Sequence, residues 1–106
     1  MEVRSHGRWT VVAVRGELDL YTAPQLRDAV IALPSEEALN VAIDLTEVGF
    51  MDSSGLGSVI ACLKHVRALN GELKLVTPET SPLMKLLSLT GLDGSVPTVT
   101  SLDDEI

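Results

Sequence analysis

Residues 40–57 run NVAIDLTEVGFMDSSGLG, and this stretch decides how the rest of the chain is arranged. Its first part, Asn40 to Leu45, is a short apolar run (Val41, Ala42, Ile43, Leu45) of the kind found in strands buried within a sheet. A connection ending in Phe50, Met51, Asp52 and Ser53 follows, and there a helix is expected to begin. Beyond it, Leu56, Val59, Ile60, Leu63 and Val66 recur at i, i+3, i+4 and i+7, the pattern of a helix with one buried stripe. The other stripe then carries Gly57, Ser58, Ala61, Lys64 and His65.

The same alternation extends in both directions. Upstream, Val11 to Val14 form a β-branched run between Gly7 and Gly16, suited to a strand covered on both faces, and Met1 to Ser5 can pair with it as a hairpin. Thr22, Ala23 and Pro24 offer a capping hydroxyl and an early-turn proline. Leu26, Ala29, Val30 and Leu33 follow at helical spacing until Pro34. Downstream, Asn70 and Gly71 end the central helix, Leu73 to Val76 supply another strand, and Ser81 and Pro82 cap a short helix with Leu83, Leu86 and Leu87 that Gly91 closes. Val96 to Val99 form a last strand. Ser101 followed by Leu102, Asp103, Asp104 and Glu105 has the acidic opening of one more helix, expected to be short or truncated. Strands separated by helices require crossover connections. The expectation is a single α/β domain over residues 1–106, with a mostly parallel sheet of four to five strands and helices packed on it.

Composition removes several functions. Eight basic against fifteen acidic residues leave a net charge of −7, which disfavours nucleic acid and anionic membrane surfaces as partners. No apolar run approaches the roughly 20 residues that span a bilayer, and the first residues lack a signal peptide's apolar block, so a cytoplasmic location is expected. One cysteine, Cys62, cannot form an internal disulfide and is read as a small packing residue. The two histidines do not match a zinc-ligand spacing, so no metal or cofactor is expected.

The carboxyl ends of parallel strands are where α/β proteins place their working surfaces, which singles out Asp52, Ser53, Ser54, Gly55, Leu56 and Gly57. Two glycines in the opening turns of a helix cost roughly 1 kcal/mol each relative to alanine. In one account Ser53 is simply the N-cap and the glycines let the helix lie close on the sheet. In the other, small residues leave the helix start open to another protein and Ser53 is a hydroxyl that a kinase can reach. A phosphate there adds about −1.5 to −2 charges. Backbone N–H groups at the helix start tolerate it, whereas a partner surface must bury it unpaired. That burial costs on the order of 2–5 kcal/mol, a roughly 30- to 4,000-fold loss of affinity.

The block from Phe50 to Gly57 resembles the phosphorylation motif of bacterial anti-sigma factor antagonists, which are single STAS domains. The likeness runs from Gly16, Glu17, Leu18 and Asp19 to Thr90, Gly91 and Leu92. The resemblance implies that Ser53 is the phosphoacceptor, with Ser54 its neighbour, and that Asp19, Thr22 and Asp52 lie beside it as partner contacts. It further implies partner switching. The unmodified protein binds an anti-sigma factor that is also an ATP-dependent serine kinase, phosphorylation ends the binding, and a PP2C-type phosphatase restores it. Gly55, Gly57, Ser58, Ala61 and Lys64 on the central helix complete the expected docking surface.

Two rivals remain. A hydrolase would need Ser53, His65 and Asp52 together, yet twelve residues along one helix separate Ser53 from His65 by about 18 Å. The glycines also lack the Lys and Ser/Thr of a phosphate-binding loop, so the chain is not read as an enzyme. STAS domains also serve as regulatory modules of transporters, stress-sensing complexes and lipid-trafficking systems, where no phosphorylation need occur.

Overall fold

The hairpin at the amino terminus starts the sheet. Gly7 adopts φ +59° in a two-residue turn, and β1 (Glu2–His6) folds back antiparallel on β2 (Trp9–Leu18), with His6 opposite Trp9 and Glu2 opposite Ala13. The computed structural model describes residues 1–34 and 39–101. After β2 come α1 (Ala23–Ile31), β3 (Asn40–Met51), α2 (Ser53–Ala68), β4 (Glu72–Val76), α3 (Pro82–Thr90) and β5 (Thr98–Val99). The five strands lie in the order β1-β2-β3-β4-β5, and every pair after the first is parallel. This is the mostly parallel α/β sheet that the alternation of strands and helices predicts.

Each inner strand is buried on both sides. Val12, Val14, Val41, Ile43, Leu45, Leu73 and Leu75 join Leu26 and Val30 of α1, Val59, Leu63 and Val66 of α2, and Leu83 and Leu87 of α3 in the main core. The three described helices therefore pack on one face. The alternate residues Trp9, Val11, Ala42 and Val76 form a smaller cluster on the reverse face, where Arg8 and Lys74 each lie 5.7 Å from the Trp9 ring. Charged pairs surround it: Arg4 and Asp44 at 3.8 Å, Arg15 and Glu47 at 2.7 Å, Arg15 and Glu2 at 3.7 Å.

Some boundaries differ from expectation. The segment read as a connection after Leu45 is a continuation of β3 as far as Met51. Exposed Thr46, Glu47, Gly49 and Phe50 break its apolar pattern, and register shifts against β2 between Ala13 and Arg15 and between Gly16 and Glu17 absorb the extra residues. The last strand is shorter than Val96 to Val99. Pro97 has no N–H to give the ladder, although its carbonyl accepts from Leu75 at 3.0 Å. Ser81 caps α3 as expected, accepting from the Met84 N–H at 3.2 Å. The final helix expected after Ser101 falls on residues 102–106, outside the described residues.

Candidate functional site

The paired strand ends Leu18 and Met51 fix where the site lies, because a loop leaves β2 and α2 leaves β3 at neighbouring points. At the α2 start, Asp52 has extended backbone angles (φ −109°, ψ −173°) and its carboxylate accepts from the Gly55 N–H at 3.1 Å. Asp52 is therefore the N-cap, which overturns the account in which Ser53 caps the helix. Ser53 is the first helical residue, exposed, and no hydrogen bond among the described residues engages its hydroxyl. The N–H groups of Ser53 and Ser54 belong to the first turn, which has no intrahelical acceptors for them. An anion at this tip meets open donors and the positive end of the helix dipole.

Gly55 is buried under this tip. A Cβ there would overlap the Leu18 carbonyl oxygen and stand 2.8 Å from Met51 Cγ, so only glycine lets the first turn of α2 rest on the ends of β2 and β3. Gly55 thus positions the helix rather than offering a surface, contrary to its expected place among partner contacts. Gly57 differs: it is exposed, and a Cβ added to it would meet nothing within 4 Å.

Ser58 also departs from expectation. It is 2 % exposed and its Oγ donates to the Gly55 carbonyl at 2.7 Å. α1 lies alongside α2, so the buried arc of α2 is wider than a sheet-facing stripe and takes in Gly55, Ser58 and Cys62. The open stripe that remains is Ser53, Gly57 and Lys64, exposed, with half-buried Ser54 and Ala61 beside them.

The loop after β2 is held by its own side chains. Asp19 Oδ1 accepts from the backbone N–H groups of Tyr21 (3.0 Å) and Thr22 (3.1 Å), and Thr22 Oγ1 accepts from the Asp19 N–H (2.9 Å) while donating to the Glu17 carbonyl (2.8 Å). Thr22 does occupy the N-cap position of α1, but its hydroxyl makes no cap bond because the loop engages it. The Thr22 backbone N–H, with help from Tyr21 and the Thr22 hydroxyl, lowers the Asp19 pKa below its ordinary value. Asp19, Thr22, Asp52 and Ser53 thus sit at one end of the sheet.

Sequence reasoning missed the apolar surroundings of this end. The loop's network turns Leu20 (65 % exposed) and Tyr21 (82 %) outward, and Phe50, opposite Glu17 in the sheet, is half exposed. Phe50 and Leu89 (79 % exposed) line a groove of about 460 Å³ together with Pro82, Lys85 and Leu86. The signal was present as large apolar residues interrupting polar turns, but a sequence pattern cannot separate such residues from core. Contiguous exposed apolar patches mark protein, membrane or ligand contacts.

Ser53 and His65 lie on the same unbroken helix, and burial pushes the Cys62 thiol up to about 11, far from a reactive thiolate. Among the described residues, no group of three or more His, Cys, Asp or Glu is placed to hold a metal ion, and no helix is long and apolar enough to cross a membrane.

Known proteins share this architecture and sequence. The STAS domain family model matches residues 1–105. The anti-sigma-B factor antagonist of Listeria monocytogenes is 40% identical over 81 residues, covering 76% of this chain and 70% of its own length. A crystal structure of an anti-sigma factor antagonist from Mycobacterium paratuberculosis superposes with a TM-score of 0.79 at 32% identity, covering 97% of this chain and 86% of that one. The structure of the Bacillus cell fate determinant SpoIIAA in the phosphorylated form superposes with a TM-score of 0.71 at 26% identity, covering 98% and 95%.

Proposed function

Because the chain belongs to the STAS domain family, we propose that it is a cytoplasmic anti-sigma factor antagonist switched by phosphorylation of Ser53. In its unmodified form it binds an anti-sigma factor with serine kinase activity, which frees a sigma factor for transcription. The kinase then transfers the γ-phosphoryl of its own ATP to the Ser53 hydroxyl, the complex separates, and a PP2C-type phosphatase hydrolyses the phosphoserine to renew the cycle. The chain itself contributes an acceptor hydroxyl and a docking surface, not a catalytic group. The relatives named as antagonists support the role, and the phosphorylated SpoIIAA supports the chemistry.

One observation carries the assignment to Ser53. The hydroxyl stands exposed at the first position of α2 while Asp52, not Ser53, holds the cap. The partner surface is then the stripe of Gly57, Ala61 and Lys64 together with Leu20, Tyr21 and Phe50. A phosphate at its centre is tolerated by the helix start but must be desolvated by the partner, and Asp52 beside it adds repulsion.

Binding of Ser53→Ala and Ser53→Asp to the anti-sigma kinase, with and without ATP, tests the mechanism. Ser53→Ala is expected to bind and to resist release by ATP, and Ser53→Asp to bind weakly. Equal binding by Ser53→Asp and the unmodified protein would refute the charge mechanism. Intact-mass analysis after kinase treatment, with peptide mapping over residues 50–64, locates the phosphate. A phosphate on Ser54 would reassign the acceptor, and one on buried Ser58 would contradict the accessibility on which the assignment stands.

A further inference from the structure

Among the described residues β1 is an edge of the sheet, paired with β2 alone, and its residues Glu2 to Ser5 are exposed. Edge strands are commonly blunted by proline, a bulge, a covering segment, shortness or charged side chains, and of these β1 has its five-residue length and the charges of Glu2 and Arg4. β1 contains no proline and keeps an unbroken register with β2 from Glu2 to His6.

The hairpin fixes which backbone groups face outward. A two-residue turn closes on a mutually hydrogen-bonded pair, here His6 and Trp9, and the antiparallel ladder then alternates. Glu2, Arg4 and His6 direct N–H and C=O toward β2, while Val3 and Ser5 direct theirs away from the sheet. A second copy of the same strand can satisfy these groups in an antiparallel arrangement about a two-fold axis, and the side chains select the register. Centred on Glu2 or Arg4, like charges oppose each other directly. Centred on Ser5, Arg4 meets His6. Centred on Val3, Glu2 of each copy stands opposite Arg4 of the other, twice, and the outward groups of Val3 meet their own copies.

The reverse face extends this match. Glu2 already lies 3.7 Å from Arg15, and Arg4 lies 3.8 Å from Asp44. The Val3-centred register joins these pairs across the axis into rows of alternating sign: Asp44 and Arg4 of one copy, then Glu2, Arg15 and Glu47 of the other. On the opposite side of the strand, Val3 (50 % exposed) gains an apolar cross-strand contact with its copy.

We propose that the protein self-associates as a symmetric dimer through β1, with Val3 on the two-fold axis, forming one continuous sheet across both copies. The contact is one short strand per copy between chains that each carry −7 charge, so it is weak, with a dissociation constant on the order of 0.1 mM. It leaves Ser53 open, since the site lies at the end of β3 and not on the β1 edge, and it stands whether or not Ser53 is phosphorylated.

Sedimentation velocity on the full chain, from about 10 µM to 1 mM, is expected to show mass rising from 11.3 kDa toward twice that value. Arg4→Glu, which sets Glu2 against a second carboxylate, is expected to stay monomeric at concentrations where the parent dimerises. The double variant Glu2→Arg, Arg4→Glu restores both cross-strand pairs but sets like charges against Arg15 and Asp44, so it is expected to recover dimerisation only in part, above the level of Arg4→Glu. Oxidation of Val3→Cys is expected to give a disulfide-linked dimer on a non-reducing gel, because directly opposed residues lie about 5.5 Å apart. Ser5→Cys, opposite Met1, is expected not to link, and Cys62 is buried in both. A parent that is monomeric at 1 mM, a dimer indifferent to Arg4→Glu, or cross-linking through Ser5→Cys but not Val3→Cys would each overturn the proposal.

Discussion

Replacing the two glycines of α2 one at a time separates a packing requirement from a surface one. In Gly55→Ala the new methyl would overlap the Leu18 carbonyl oxygen and lie 2.8 Å from Met51 Cγ. The first overlap is with backbone, which has no rotamer to relieve it, so the opening turn of α2 must move roughly 1 Å away from the strand ends. Overpacking of this kind costs about 1–3 kcal/mol. The movement also loosens the Asp52 cap bond to the Gly55 N–H, worth about 1 kcal/mol, which offsets the helix propensity gained by alanine. The net is a loss of about 1–3 kcal/mol, or roughly 4–12 °C in Tm for a domain of this size.

Gly57→Ala has no such neighbour, so the propensity gain of about 0.5–1 kcal/mol stands alone and Tm is expected to rise by roughly 2–4 °C. Urea unfolding followed by tryptophan fluorescence and calorimetry measures both variants. A Gly55→Ala protein as stable as the parent, or a destabilised Gly57→Ala, would refute the geometric reasoning. Binding adds a second readout. If the open stripe of α2 docks a partner, Gly57→Ala must bind that partner less well while being the more stable protein, and no loss of fold can imitate that combination.

Asp19 gives a pH dependence with a definite sign. Its carboxyl titrates below the ordinary value of 3.8 in the folded protein, because the charged form accepts hydrogen bonds from Thr22 and Tyr21. Its stabilisation is therefore complete above the unfolded-state pKa and is lost as pH falls below 3.8 toward the folded-state value. Urea titrations at pH 6 and pH 2.5 are expected to show a smaller loss of stability on acidification in Asp19→Asn than in the parent, and an equal loss would contradict the hydrogen-bond assignment. Cys62, with its thiol pushed up to about 11, is expected to react with a disulfide reagent at pH 8 only in urea, at a rate that follows unfolding. Rapid labelling of the native protein would show that the α1–α2 contact opens.

Much of this architecture is legible because burial imposes a period on the sequence. Val11 to Val14 and Val41 to Ile43 are apolar on consecutive residues since both faces of the sheet are covered there, and Leu83 and Leu87 recur at helical spacing since only one side of α3 is. The pattern fails where burial has another cause. Ser58 is polar yet buried, because its hydroxyl turns back onto the Gly55 carbonyl of its own helix and presents little to the surroundings except a small volume. Thr46 to Phe50 are mostly exposed yet extended, since β2 continues beside them and supplies ladder partners that a local pattern does not contain. Leu20 and Tyr21 are apolar yet exposed, because Asp19 and Thr22 close the loop beneath them through contacts between side chain and backbone.

The division of labour between Asp52 and Ser53 has a consequence for switching. Had Ser53 been the cap, its oxygen would accept the first-turn N–H, and adding or removing a phosphate would make and break the helix start each time. Asp52 takes that role through its own carboxylate, 3.1 Å from the Gly55 N–H, and Gly55 locks the same turn against Leu18 and Met51. A phosphate on Ser53 therefore changes charge at the tip without changing which atoms hold the helix. With Ser53 as the proposed acceptor, the Asp52 repulsion is carried by the free domain as well, while the further penalty of desolvating the phosphate falls on the complex. Calorimetry of the modified protein makes this measurable: Tm should shift by no more than a few degrees while partner binding falls by orders of magnitude, and a large drop in Tm would mean that the hydroxyl, and not Asp52, secures the turn.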